Sequence, residues 1–178
     1  RLVLHVVAHV GEPDHVWSMA QDDAGNVYLG TGPSGHIIRV TPTGQHSLLF
    51  TVDEPMVSAL TVDRNGELLA GTSPGGKIYR IQPDGSGSVW SETGERYVWA
   101  LAVGSDGSVL AGTGERGMVF EISSSGNASP FFDSDEPHLV SLLPMRDGDL
   151  LAGGSGRGLE LVRNLFRQRR FHNKITQA

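Results

Sequence analysis

The segment Gly71–Arg80, GTSPGGKIYR, sets Gly71, Gly76 and Lys77 in the spacing G-x-x-x-x-G-K, the start of a loop that cradles nucleotide phosphates. GTGPSG (Gly30, Gly32, Gly35) and GTGERG (Gly112, Gly114, Gly117) each satisfy G-x-G-x-x-G, the spacing of a dinucleotide loop. A second set of residues could do other chemistry. His15, Met56, Tyr97 and His138 recur at one interval, with Trp17, Ser58, Trp99 and Val140 two residues further along the same strand face. Glu54, Glu95 and Glu136 precede them, Glu12 is nearly in register, and Arg116 and Arg157 sit in loops that correspond to each other. Imidazoles with carboxylates can hold a divalent ion, and aromatic rings beside charges can grip a sugar or a peptide.

The interval itself decides between these chemistries. Written in rows of 41 residues, the chain aligns Gly25, Gly66, Gly107 and Gly148 in one column. Gly30, Gly71, Gly112 and Gly153 form a second column, and Gly35, Gly76, Gly117 and Gly158 a third. Apolar columns travel with them: Val16, Val57, Val98 and Leu139, then Met19, Leu60, Leu101 and Leu142. A register held through four rows without a gap marks a repeat architecture.

Each row reads as four short strands. In the second row the pattern predicts strands near Val57–Val62, Glu67–Thr72, Lys77–Ile81 and Ser88–Ser91. Asn65-Gly66, Asp106-Gly107 and Asp147-Gly148 read as two-residue type I′ hairpin turns, which need positive φ at both positions. Pro42-Thr43-Gly44 and Pro83-Asp84-Gly85 mark the turn from third to fourth strand. Four-stranded units of this length are the signature of β-propeller blades. Small residues at Ser18, Ala59, Ala100 and Ser141 suit innermost strands, which converge on the propeller axis.

That reading removes the phosphate loops. Both motifs need a helix after the loop, because the phosphate rests on the helix N-terminus. Here each loop runs into another strand, HIIRV, KIYRI or MVFEI, and Ile78 stands where a magnesium-binding Ser or Thr is needed. The glycines are expected to be structural, and Lys77 to bind no nucleotide. Asp63–Glu67, DRNGE, begins like a calcium loop, but it lacks the distal Glu and falls where a hairpin is required.

The phrase GNVYLGTGPSGHIIRVTPTG (Gly25–Gly44) and its repeats resemble the repeats of NHL, streptogramin-lyase-like and two-component-regulator propellers. The shared pattern is D-G-x-ψ-ψ-x-G-T, with ψ apolar, followed by a short strand ending near P-D-G. The resemblance covers residues 1 to about 162 and implies the fold. It leaves scaffolds, sensors and enzymes open as functions. Enzymes of the streptogramin-lyase or gluconolactonase type would imply His and Glu on the loop face with a divalent metal.

Expected blades are about 16–55, 57–96, 98–137 and 139–162, with an N-terminal strand at 2–10 and a basic non-repeat tail at 163–178. Two architectures fit this all-β count. In one, the chain forms an incomplete propeller with His15 and His138 well apart. In the other, Leu2–Val10 pairs with Leu159–Val162 and closes a four-blade ring. The first is the expectation, because Arg163 onward breaks the repeat.

One face of such blades carries only tight glycine turns, so the opposite loop face is where a ligand would sit. The ligand-binding candidates there are His15, Trp17, Glu54, Glu95, Tyr97, Trp99, Arg116, Glu136, His138 and Arg157. The competing reading makes the aromatic rings packing groups and the acids ordinary loop residues.

Composition narrows the partners. The chain of 178 residues has no Cys, which excludes disulfides, thiolate metal ligands and a Cys nucleophile. No G-x-S-x-G occurs, and no apolar run approaches membrane-span length. Residues 163–178 carry five basic residues and no acid, so an overall charge of −6 places −11 on residues 1–162. An acidic body argues against nucleic acid or an anionic membrane as the main partner, and is compatible with a peptide, protein, sugar or small molecule. The first residue is Arg1, so a processed form or a fragment is expected, with export or a periplasmic location open if a leader is missing. The function expected is a non-catalytic binding or scaffold module without cofactor. The alternative is a metal-dependent lyase or lactonase-like propeller enzyme.

Overall fold

The computed structural model describes residues 14–146, 148–156 and 159–162. The N-terminal strand at 2–10, Glu12, Asp147, Arg157 and the basic tail lie outside the described residues, and so does the ring closure that depends on them.

Fifteen strands are described, and none of the described residues is helical. The first sheet holds β1 (His15–Gln21), β2 (Val27–Gly32), β3 (His36–Val40) and β4 (His46–Thr51) in that order. The second holds β5 (Met56–Val62), β6 (Leu68–Ser73), β7 (Lys77–Ile81) and β8 (Gly87–Glu92). The third holds β9 (Val98–Val103), β10 (Val109–Thr113), β11 (Met118–Ile122) and β12 (Ala128–Asp133). The fourth has three strands, β13 (Leu139–Pro144), β14 (Leu150–Gly154) and β15 (Leu159–Val162). All neighbours are antiparallel meanders, so each sheet is a propeller blade.

The innermost strands stack in sequence, β1 on β5, β5 on β9, β9 on β13, while β1 and β13 share no packed interface. The described blades thus form an open arc, and His15 and His138 stand at its two ends.

One contact repeats at every blade junction. Val57, Val98 and Leu139 are fully buried. Each lies against a glycine in the second strand of the preceding blade. A Cβ on Gly30 would meet Val57 Cγ1 at 2.7 Å, and one on Gly71 would meet Val98 Cγ1 at 2.5 Å. On Gly112 it would meet the Leu139 carbonyl oxygen at 3.1 Å. Distances under 3 Å leave no room for a methyl group at Gly30 and Gly71, and at Gly112 the approach is a tight one to the next blade's backbone, so these glycines let adjacent blades close on one another. Hydroxyls stitch the same junctions: Ser18 Oγ donates to the Val57 carbonyl at 2.9 Å, and Ser58 Oγ to the Val98 carbonyl at 2.5 Å.

The third glycine column answers a different demand. Gly35, Gly76 and Gly117 have φ of 64°, 61° and 57°, and a Cβ there would strike the backbone carbonyl of Glu54, Glu95 or Glu136 at 2.2, 1.7 and 1.7 Å. The threonine of each G-T pair closes the same loop: Thr72 Oγ1 donates to the Lys77 carbonyl at 3.1 Å, and Thr113 Oγ1 to the Met118 carbonyl at 3.0 Å.

Two local expectations are corrected. The hairpins at Asn65-Gly66 and Asp106-Gly107 are not type I′, because Asn65 and Asp106 keep negative φ and only the glycine turns left-handed. The Asp63 amide bonds the Glu67 carbonyl at 2.9 Å, and the Gly66 amide the Asp63 carbonyl at 3.1 Å. The loop therefore has three residues and ends in a left-handed glycine. Asp63 Oδ1 accepts from the Asn65 amide at 2.8 Å, an Asx turn that makes this form favourable. The other correction concerns Trp17, Ser58, Trp99 and Val140, which do not alternate regularly along their strands. Pairing skips each of them, as between Val98↔Thr113 and Ala100↔Gly112, so each is the extra residue of a β-bulge.

Two substitutions separate the cost of positive φ from that of close approach. Gly66 has φ 80°, and an added Cβ would meet nothing within 4 Å, so Gly66→Ala should cost about 1–2 kcal/mol. Gly76→Ala carries a similar backbone penalty and a clash with the Glu95 carbonyl, and should cost at least about 1–3 kcal/mol more. Urea unfolding of the two variants measures the difference; equal losses would refute the close-approach account.

Candidate functional site

The bulge at Trp99 shapes the loop face at the junction of the third and fourth blades. Because the extra residue re-aims its side chain, Trp99 lies over Tyr97, with ring centroids 5.2 Å apart and planes 12° from parallel. His138, at the start of the fourth blade, meets both rings edge-on, at 6.3 Å from Tyr97 and 6.2 Å from Trp99. All three residues are half-buried. Arg96 caps the group, with its guanidinium carbon 5.3 Å from the Tyr97 ring centre.

Hydrogen bonds fix the imidazole. Trp99 Nε1–H donates to His138 Nδ1 at 3.3 Å, and so does the Glu115 amide, also at 3.3 Å. Two donors on Nδ1 require a neutral ring with its proton on Nε2. Glu115 can supply that amide because the third blade departs from the first two. Their corresponding residues are Pro33 and Pro74, which have no N–H, whereas Glu115 adopts φ 73°. Glu115 Oε1 also lies 3.6 Å from Arg96 Nη1. Gly114 makes the Trp99–His138 contact possible: a Cβ there would sit 2.4 Å from Trp99 Nε1 and 2.5 Å from His138 Nδ1.

The candidate acids do different work. Glu54 Oε1 pairs with Lys77 Nζ at 3.0 Å. Glu95 Oε1 accepts from Arg116 Nε at 2.9 Å and from its Nη2. Glu136 Oε2 accepts from the Gly156 amide at 2.5 Å. In the first blade Asp14 takes this position, accepting from Thr31 Oγ1 at 3.0 Å and lying 3.0 Å from His36 Nδ1. Each carboxylate pins the loop between the second and third strands of its blade. Glu95 and Glu136 are buried while doing so. Ser34 hydrogen bonding, against the opposing effect of burial, holds the Asp14 carboxyl below its ordinary value. The Glu54 hydrogen bond raises the Lys77 ammonium above its own, so Lys77 is a charged partner of Glu54 within the loop. Arg116 is also raised by Glu95; its guanidinium side chain is 71% exposed, while the Glu95 carboxylate it covers is buried.

The structure therefore brings together Tyr97, Trp99 and His138, and ties Glu95 to Arg116 beside them. Glu54 belongs to the second blade's loop. His15 and Trp17 lie exposed at the far end of the arc, and no packed interface joins their strand to that of His138. Among the described residues, no three His, Asp or Glu side chains gather at metal-binding distance. Arg96 and Glu115 escape a reading by columns, since each differs from its counterparts in the other rows, whereas Gly114 repeats Gly32 of the first row. The signal is that departure itself, at Glu115 above all.

Gly114→Ala should drive Trp99 and His138 apart, shifting tryptophan fluorescence to longer wavelength and costing about 1–3 kcal/mol. Unchanged emission and stability would show that the two rings do not depend on this close approach.

Comparison with known proteins gives the fold its setting. No protein-family model and no curated protein matches the chain. Solved structures do. A catalytically inactive virginiamycin B lyase from Staphylococcus aureus, in complex with quinupristin, superposes with a TM-score of 0.77 at 19% identity, over 86% of this chain and 54% of its own. A protein assigned to the gluconolactonases gives 0.67 at 14% identity, over 82% and 57%. The extracellular domain of a one-component system from B. thetaiotaomicron gives 0.67 at 16%, over 83% and 21%. The chain spans about half the length of the lyase. Identities this low carry the fold alone: the chain is a β-propeller arc whose neighbours are streptogramin-lyase-like, gluconolactonase-like and regulator propellers.

Proposed function

We propose that the chain is a non-catalytic binding module whose ligand, a sugar, a peptide or a planar small molecule, rests on the loop face at Tyr97, Trp99 and His138. The observation that supports this most is the half-buried Tyr97–Trp99 stack, held against an imidazole whose Nε2–H remains a donor. A rigid aromatic surface beside a hydrogen-bond donor can take the apolar face of a sugar ring or an aromatic side chain at small entropic cost. Arg96 adds a cationic rim. The loop acids are drawn into ion pairs and backbone hydrogen bonds, so they contribute less to this surface than their number implies. A metal-dependent lyase or lactonase would need a convergent His and Glu set. Its support is a fold shared with the lyase and the gluconolactonase, and nothing more specific.

The test is tryptophan fluorescence titrated with a panel of oligosaccharides and aromatic-containing peptides, repeated with Trp99→Ala and Trp17→Ala. The expected result is a ligand whose affinity falls at least about tenfold in Trp99→Ala and is unchanged in Trp17→Ala. Binding indifferent to Trp99, or metal-dependent turnover of a lactone or a streptogramin by the intact chain, would overturn the reading.

A further inference from the structure

The turn between the first two strands of the second blade carries chemistry that the other rows do not repeat. The residue before its left-handed glycine is Asn65, where the other rows have Ala24, Asp106 and Asp147. The side-chain amide of an asparagine is an electrophile that the next residue's backbone nitrogen can reach, because closure makes a five-membered ring. The surroundings of that nitrogen decide whether it reacts.

At Gly66 they are open. Asn65 and Gly66 are exposed, and a Cβ on Gly66 would meet nothing within 4 Å, so ring closure strikes no side chain. Asn65 Nδ2 is held by Asp63 Oδ2 at 3.4 Å, a long bond. The other described asparagines are placed differently. Asn26 Nδ2 donates to Asp22 Oδ2 at 2.8 Å, and the next nitrogen belongs to Val27, β-branched and paired with Val40 in the sheet. Asn127 Nδ2 donates to Ser125 Oγ at 3.2 Å, and the next residue, Ala128, is paired with Ile122. The aspartates before Gly85 and Gly107 resist the same attack. Hydrogen bonds from Ser86 and Ser108 hold the Asp84 and Asp106 carboxyls below their ordinary value, and an ionised carboxylate is a poor electrophile.

We propose that Asn65 is a site of spontaneous covalent modification, deamidating through a cyclic imide formed with Gly66. The Gly66 nitrogen loses its proton and bonds to Asn65 Cγ, the Cγ–Nδ2 bond breaks, and Nδ2 leaves as ammonia. Water then opens the ring. Cleavage of the bond to Cγ gives aspartate, the residue that Asp106 already supplies in the third row. Cleavage of the bond to the Asn65 carbonyl carbon gives isoaspartate, whose main chain runs through Cγ. That longer main chain displaces the Gly66 and Glu67 amides from the Asp63 carbonyl and carboxylate that hold the turn. Arg64 sits in the same turn and donates from Nη2 to the Gly104 carbonyl at 3.2 Å and to that of Ser105, tying the second blade to the third. Isoaspartate at 65 therefore loosens a blade junction, whereas aspartate leaves it as it is.

Peptide mass mapping of the intact folded chain, aged in mildly alkaline buffer, tests this. A mass gain of one dalton is expected in the Asn65 peptide before those of Asn26 and Asn127, in two chromatographically distinct products. The rate should rise with pH, as loss of the Gly66 proton requires. In urea unfolding, Asn65→Asp should match the parent chain, and aged chain enriched in isoaspartate should unfold at lower urea. An Asn65 that stays intact while Asn26 or Asn127 converts would overturn the proposal. An isoaspartate chain as stable as Asn65→Asp would overturn its link to the blade junction.

Discussion

The structure depends on one contact, a branched side chain of one blade's innermost strand seated on a glycine of the blade before it. Val57 on Gly30 and Val98 on Gly71 are versions of the same event, and at Gly112 the buried Leu139 approaches with its backbone carbonyl nearest. Burying a Val or Leu completely contributes about 1.5–3 kcal/mol. The absence of a Cβ lets the two backbones approach closely enough for Ser18 and Ser58 to bond across the gap. Blade spacing follows from this contact, and the array propagates because both faces of a blade take part.

The candidate site is a by-product of that spacing. The bulge in each innermost strand frees one residue from the ladder near the loop face, and the residue type decides what it offers there. Ser58 spends its hydroxyl on the next blade. Trp99 stacks on Tyr97 and reaches His138 instead. The first blade carries the matching pair Trp17 and Gly32, so what the third blade adds at its junction is Arg96, Tyr97 and Glu115. Those residues set this junction apart, whereas the pinning carboxylates of Glu54, Glu95 and Glu136 are common to the array.

Much of this was legible in the sequence, because the repeat states it several times over. Strand positions, meander order and the strand that follows each glycine loop were set by columns that recur every 41 residues. Turn chemistry was less legible. Asn65-Gly66 reads as a two-residue turn until Asp63 is seen to hold the Asn65 amide, which favours the three-residue form. The bulges were invisible, since an inserted residue common to every row leaves the period intact. The work of the acids was not legible either: a column of carboxylates on a loop face gives no sign of the ion pairs and backbone amides of the adjacent loop that engage them. His15 and His138 share a column and not a place.

A double-mutant cycle on Gly71 and Val98 tests the central contact most directly. Gly71→Ala pushes a methyl group into Val98 Cγ1, and Val98→Ala removes that closest atom. The account predicts strong non-additivity, with the penalty of Gly71→Ala reduced by at least about 1 kcal/mol in the Val98→Ala background. Additive losses in urea unfolding would contradict it, because they would mean that the glycine column is not there to receive the next blade.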